Sequence, residues 1–155
     1  MNPIKILNSK EHGEIEKQLK EQFGINQIQG KIIKWGTERL LLFSGSLSEK
    51  EIENLEQDKV PIEKIGFYFA KIIKDELKLT IEGTQALSPQ ITKNIYDLNS
   101  SQAEEWMMGR ELQIKTGLYG FIVMRHGNDL LGCGKASQEK ITNFIPKPRR
   151  LKSRQ

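Results

Sequence analysis

The chain has 155 residues, 37% of them hydrophobic, with a formal net charge of +4, enough for one ordinary domain or two small units sharing a core. It holds no apolar span of roughly 18 residues, and its N-terminal MNPIKILNSKEHG lacks a long uncharged stretch, which argues against membrane insertion and export and for a cytoplasmic protein. Cys133 is the single cysteine, and His12 and His126 stand far apart, so an internal disulfide and a cysteine-based zinc site are excluded and neither metal nor cofactor is expected.

In chain order, Asn8 or Ser9 caps a helix whose stripe of Ile15, Leu19 and Phe23 ends at Gly24. KIIKWGTERLLLF follows as two short strands around Gly36-Thr37-Glu38. Ser48 and Glu51 form a capping box ahead of Ile52 and Leu55, which predicts a second helix. Leu77, Leu79 and Ile81 alternate with Lys78, Thr80 and Glu82 in a half-buried strand, paired through a turn at Lys74 to Glu76 with the aromatic run before it. Ser88-Pro89 then starts a short helical turn near the boundary between units, placed at Thr84 to Asn94. Ser101 and Glu104 make another capping box, and Ala103, Trp106 and Met107 define the buried side of a helix that stops at Gly109. Two strands around Gly127-Asn128-Asp129 and a basic extension complete the second unit.

Charge is unevenly divided. Residues 1–84 hold 13 Lys and Arg against 14 Asp and Glu, whereas residues 85–155 hold 11 against 6, and from Lys140 onward six cations meet no acid. Clustered cations sum their fields, which suits a phosphate-bearing partner. Gly132 and Gly134 lack a Cβ and allow either close approach by another backbone or crowded internal packing. Pro146 and Pro148 stiffen the following segment toward an extended form that spreads Lys147, Arg149 and Arg150. Asn143 and Phe144 have the chemistry to hydrogen-bond and stack on an unpaired base, although Phe144, flanked by Ile141 and Ile145, fits a core equally well.

Enzyme signatures are missing. GCGKAS has paired glycines but neither the third glycine nor the strand-to-helix setting of a dinucleotide site. His126 and Cys133 lack an orienting third group, the adjacent Glu104 and Glu105 diverge on a helix, and Trp106, Met107 and Met108 suit a core better than a ligand box.

Several ordered motifs carry a family likeness: Glu82-Gly83-Thr84-Gln85, Thr92-Lys93-Asn94, Trp106 and Met107 with Gly109, Gly120-Phe121-Ile122, Leu131 to Lys135, and Asn143 to Arg150. Over residues 79 to 150 the chain resembles the stand-alone archaeal ribosome-biogenesis proteins with a PUA-like domain, related to the RNA-binding tails of NOL/NOP/Sun-type rRNA cytosine-C5 methyltransferases. The resemblance implies an α+β fold, with a small pre-PUA-like α/β domain over 1–84 and a PUA-like mixed β-barrel with a basic C-terminal extension over 85–155. It also implies structured ribosomal or transfer RNA as ligand, and a role in ribosome biogenesis or RNA modification. The related enzymes keep their chemistry in a separate cofactor-binding domain with two catalytic cysteines, so the expectation here is a non-catalytic RNA-gripping part, acting in pre-ribosomal particles or beside a methyltransferase encoded elsewhere. The expected RNA-binding residues are Arg110, Arg125, Gly132, Gly134, Lys135, Lys140, Asn143, Lys147, Arg149 and Arg150, gathered on one glycine-lined face. Gln85, Asn94 and Asn143 are either polar readers or fold determinants. A protein adaptor whose basic tail docks an acidic partner, and a small enzyme using His126 and Cys133, are the rival readings.

Overall fold

A computed structural model describes residues 4–43, 51 and 66–152. The helix expected after Ser48 lies outside these residues apart from Glu51. Strand β1 (Ile4–Ile6), which the periodicity did not announce, leads into helix α1 (Ser9–Phe23). Asn8 is its cap: the Asn8 side chain accepts from the Glu11 amide at 2.9 Å while Glu11 accepts from the Asn8 amide at 3.0 Å, so two orphan donors of the first turn satisfy each other's partners. Gly24 ends the helix at φ 77°, where any Cβ would strike the Thr92 side chain.

Strands β2 (Lys31–Trp35), β3 (Arg39–Phe43), β4 (Phe67–Ile73) and β5 (Glu76–Leu79) join β1 in an antiparallel sheet of order β1-β2-β3-β4-β5. The β4–β5 turn places Lys74 and Asp75 at φ 48° and 67°, the left-handed pair that a tight hairpin of right-twisted strands requires. One sheet face buries Ile32, Leu40, Ala70, Leu77 and Leu79 with Leu19 and Phe23 of α1. The opposite face carries Ile33 and Leu41 with Trp35, Phe43 and Tyr68.

The strand expected through Ile81 stops at Leu79 instead. Thr80 caps a short helix, α2 (Ile81–Ala86), because its hydroxyl oxygen accepts from the Gly83 amide at 2.9 Å and its O–H donates to the Tyr68 carbonyl at 2.9 Å. A local cap thus overrides the period-2 pattern. Gly83 is required there, since a Cβ would overlap the Phe69 backbone carbonyl. The turn at Ser88–Gln90 is a 3-10 helix with proline in its first positions.

The second sheet is mixed: β6 (Ile95–Asp97) runs parallel to β7 (Gly120–His126), which pairs antiparallel with β8 (Asp129–Ala136), itself antiparallel to β9 (Ile141–Asn143). Helix α3 (Ser100–Met107) lies between β6 and β7 in sequence. Its capping box is Asn99 with Gln102 and not Ser101 with Glu104.

One apolar cluster unites the two sheets, since Leu87, Ile91, Phe121, Val123, Leu130 and Cys133 pack with α1 and the first sheet. Backbone amides of Thr92 and Lys93 donate to the Phe23 carbonyl at 2.8 and 3.2 Å. Asn94 Nδ2 donates to the Gln22 carbonyl, so Thr92-Lys93-Asn94 clamps the C-terminal end of α1. A second cluster surrounds Trp106 with Leu98, Ile122, Met124, Ile141 and Ile145.

Candidate nucleic-acid interface

The C-terminal basic segment does not run extended. Lys147–Arg149 forms a 3-10 turn, with the Arg149 amide donating to the Pro146 carbonyl at 2.9 Å. Proline's fixed φ serves the first helical positions as well as it serves an extended chain. That turn sets Arg149 beside Glu82 at the start of α2, and the two side chains form an ion pair.

Around it the fold builds a cleft of about 190 Å³ lined by Tyr68, Lys78 to Glu82, Gly132, Cys133, Phe144 to Pro146 and Arg149. The first sheet supplies Tyr68, Lys78 and Leu79, α2 with its cap supplies its opening turn, β8 supplies Gly132 and Cys133, and the segment after β9 supplies the rest. Gly132 adopts φ 93° and a Cβ would press on Ile81 at 3.3 Å, so only glycine gives the cleft this wall without strain. Lys78 Nζ lies 4.4 Å from the Phe144 ring centroid, and Phe144 meets Phe121 at 6.2 Å between centroids. Lys135 Nζ in turn stands 5.4 Å from the Phe121 centroid. Burial, and then the neighbouring Lys71, hold the Lys78 ammonium below the usual lysine range. A positive, partly desolvated group over an aromatic ring attracts anions more strongly than a fully hydrated one.

The expected single glycine-lined face is not what the fold makes. Gly134 is buried, and a Cβ there would lie 2.5 Å from Trp106 and 2.8 Å from Ile141; the close approach is by the indole, whose Nε1 donates to the Leu131 carbonyl at 2.8 Å. Asn143 Nδ2 donates to the Trp106 and Arg110 carbonyls at 2.8 and 2.9 Å while its Oδ1 accepts from the Ile145 amide, so it finishes the C-terminal end of α3 as a fold determinant. Arg150 lies across Gly109 and donates from Nε to the Ile145 carbonyl at 2.8 Å. Arg125 makes a two-pronged contact with Asp97 at 2.6 and 2.9 Å and borders a different cleft with Ser88, Pro89 and Asn128. Arg110 faces Glu105 at 3.6 Å and Lys140 faces Glu111 at 3.0 Å. Lys147 is exposed on its turn. Of the ten expected residues, the cleft brings together Gly132 and Arg149.

Gln85 donates to the Leu130 carbonyl and ties α2 to β8. Lys78, Tyr68 and Thr80 are the cleft residues that sequence reasoning missed. The signal for Lys78 was available: once Lys74 and Asp75 make the turn, Lys71 and Lys78 face each other across the hairpin. His126 Nδ1 donates to the Leu98 carbonyl, 3.0 Å away, and the register pairs it with Asp129 while Cys133 pairs with Val123. Burial pushes the Cys133 thiol up to about 12, the reverse of an activated nucleophile.

Residues 93–151 match the family described as Methyltransferase RsmF PUA domain. The fold is therefore mixed α+β with a PUA-like domain in its C-terminal part. The chain is 26% identical to the Ribosomal RNA small subunit methyltransferase F of Shewanella woodyi, over 94% of this chain and 29% of that protein. It is 30% identical to the same enzyme of Aeromonas salmonicida over 59% of this chain and 19% of that protein, and 23% identical to that of Vibrio cholerae over 94% and 30%. The chain thus spans between a fifth and a third of the length of the curated relatives it matches. The likeness to the PUA-like domain of rRNA methyltransferases holds. The archaeal origin expected from the resemblance finds no support, since these relatives are bacterial. Among the described residues no helix is long and apolar enough to cross a membrane.

Proposed function

We propose that this chain is a non-catalytic RNA-binding module of the rRNA-modification machinery, and that the cleft between α2, β8 and the Pro146–Arg149 turn is where RNA is held. The observation that carries this reading is the cleft itself: it combines two cations, Lys78 and Arg149, two aromatic rings, Tyr68 and Phe144, and a glycine wall, with much of its lining inside the stretch that matches the methyltransferase PUA domain. Cations meet phosphates and aromatic rings accept an unstacked base. The ligand is structured ribosomal or transfer RNA in the cytoplasm, presented in pre-ribosomal particles or to a methyltransferase domain. Binding by the cleft also explains why Glu82 pairs with Arg149 in the free protein: the carboxylate holds the guanidinium in place until a phosphate displaces it.

Fluorescence anisotropy with a labelled rRNA stem-loop tests this. Arg149→Gln and Phe144→Leu should each weaken binding about tenfold or more, the former by losing a phosphate contact and the latter by losing about 1 to 3 kcal/mol of stacking. Equal affinity for wild type and both variants overturns the assignment. Binding to an acidic polypeptide in preference to RNA would instead support the adaptor reading.

A further inference from the structure

The first sheet lies outside the stretch that matches the PUA domain, yet the face it turns away from α1, on which Ile33 and Leu41 are buried and Arg39 is exposed, carries an arrangement that folding alone does not favour. The strand register sets Trp35 opposite Arg39, Arg39 opposite Lys71, and Lys71 opposite Lys78. Directly opposed residues of an antiparallel pair share a sheet face. The row therefore crosses β2 to β5 with three cations side by side, over about 14 Å at ordinary strand spacing. Like charges placed directly opposite destabilise a sheet. Only Lys71 has a carboxylate among the described residues, Glu38 at 3.4 Å. Arg39 instead lies between aromatic rings, 4.9 Å from the Trp35 centroid and 5.8 Å from that of Tyr68. At its other end the row enters the cleft, because Lys78 belongs to both and Tyr68, whose ring meets Arg39, lines the cleft.

We propose that Trp35, Arg39, Lys71 and Lys78 form a track that carries a single-stranded RNA segment from the cleft across the first sheet. The proposal rests on the RNA-binding reading of the cleft and extends it to a surface outside the PUA-like domain. Cations spaced one strand apart follow a phosphate backbone, and the rings flanking Arg39 offer a sequence-tolerant stacking surface, the combination that grips unpaired strands. A duplex, whose bases are already stacked, would use the cations and leave the rings idle.

The experiment compares wild type with the Arg39→Gln/Lys71→Gln double variant in anisotropy titrations over a salt series. The probes are an oligouridylate, an rRNA stem-loop without unpaired ends, and polyglutamate. Each phosphate contact on a single strand contributes a slope of about −0.7 in log affinity against log salt, about fivefold per contact for each tenfold of salt. The double variant should lose about 25-fold in oligouridylate affinity at about 0.1 M salt and flatten the slope by about 1.4. The stem-loop should lose much less. An Arg39→Lys/Lys71→Arg variant should restore the slope, which a folding defect would not permit. Unchanged oligouridylate binding in the double variant, while Arg149→Gln still weakens the stem-loop, overturns the track and leaves the cleft standing. Loss confined to polyglutamate overturns it in favour of an acidic protein partner. If wild type binds neither RNA, the cleft reading fails and the track falls with it.

Discussion

In the C-terminal lobe Arg125 grips Asp97, Lys140 meets Glu111, Arg110 meets Glu105, and Arg150 donates to a backbone carbonyl. Across the first sheet, by contrast, Arg39, Lys71 and Lys78 face one another. Both regions are basic, but the second sets like charges directly opposite one another across its strands, with Glu38 and aromatic rings as their partners. A cation count therefore locates little: the C-terminal lobe, with the larger excess of positive charge, uses much of it internally. The sheet, in a half of the chain that is slightly acidic overall, concentrates cations in one row. Local repulsion retained in a stable fold is a better guide to a binding surface than net charge, because something other than folding has to favour it.

If the C-terminal residues outside the cleft serve the fold, substitutions there should lower stability without weakening RNA recognition by the folded protein. The largest effect is expected at Gly134→Val. Its Cβ would meet the Trp106 ring, Ile141 and, at 2.9 Å, the Thr142 carbonyl, and a backbone oxygen cannot step aside as a flexible side chain can. Overpacking of this kind costs about 3 kcal/mol, measurable as a lower urea midpoint. A variant as stable as wild type would mean that Gly134 faces open space. Asn143→Ala comes next. It removes three hydrogen bonds and leaves the Trp106 and Arg110 carbonyls without that donor, at about 2 kcal/mol. RNA affinity measured well below its melting temperature should stay within about twofold of wild type. A large affinity loss in a fully folded Asn143→Ala protein would return Asn143 to the interface and erase the contrast.

Cys133 lies where the two regions meet, as a cleft residue that belongs to the shared core. Its thiol is raised from 9.0 to about 12 by burial. A raised thiol means that the unfolded chain releases its proton first, so folding stability is fully present below about pH 9 and is lost progressively as pH rises toward about 12. Denaturation midpoints taken across that window should fall more steeply for wild type than for Cys133→Ala. Parallel curves would show that the thiol is solvated.

How much of this was legible follows from how local each cause is. The N-cap at Asn8, one of the two residues expected there, and the glycine stop at Gly24 are set by residues within a few positions of one another, and the structure keeps them; the turn expected over Lys74 to Glu76 is tighter, with Glu76 already in β5. At α3 two capping patterns overlap, Asn99 with Gln102 and Ser101 with Glu104, and the helix uses the one that starts two residues earlier than expected. Gly132 and Gly134 look alike in sequence, yet one walls a cleft and the other sits under the Trp106 indole contributed by α3. The Glu82 to Gln85 motif marked a family without revealing its use, because Gly83 answers to the Phe69 carbonyl and Gln85 to Leu130. The cleft was missed because half of it comes from Tyr68 and Lys78 to Glu82 in the N-terminal half of the chain, which the charge count had set aside.

The finest test of the contrast is Lys78→Met, where two small terms oppose a third. Methionine keeps an unbranched stem over Phe144, and a sulfur–aromatic contact of about 0.3 to 1.5 kcal/mol replaces a cation–aromatic contact of about 0.5 to 1 kcal/mol, so those two nearly cancel. What remains is relief of the repulsion with Lys71 across the hairpin, about 0.2 to 1 kcal/mol, together with removal of a half-buried charge. The variant should therefore be slightly more stable than wild type, by about 0.5 kcal/mol in urea denaturation, while binding RNA more weakly. Stability and binding moving in opposite directions at one residue is what a charge maintained for its ligand requires, and a Lys78→Met protein that is both less stable and equally good at binding RNA would show that Lys78 is held for the fold.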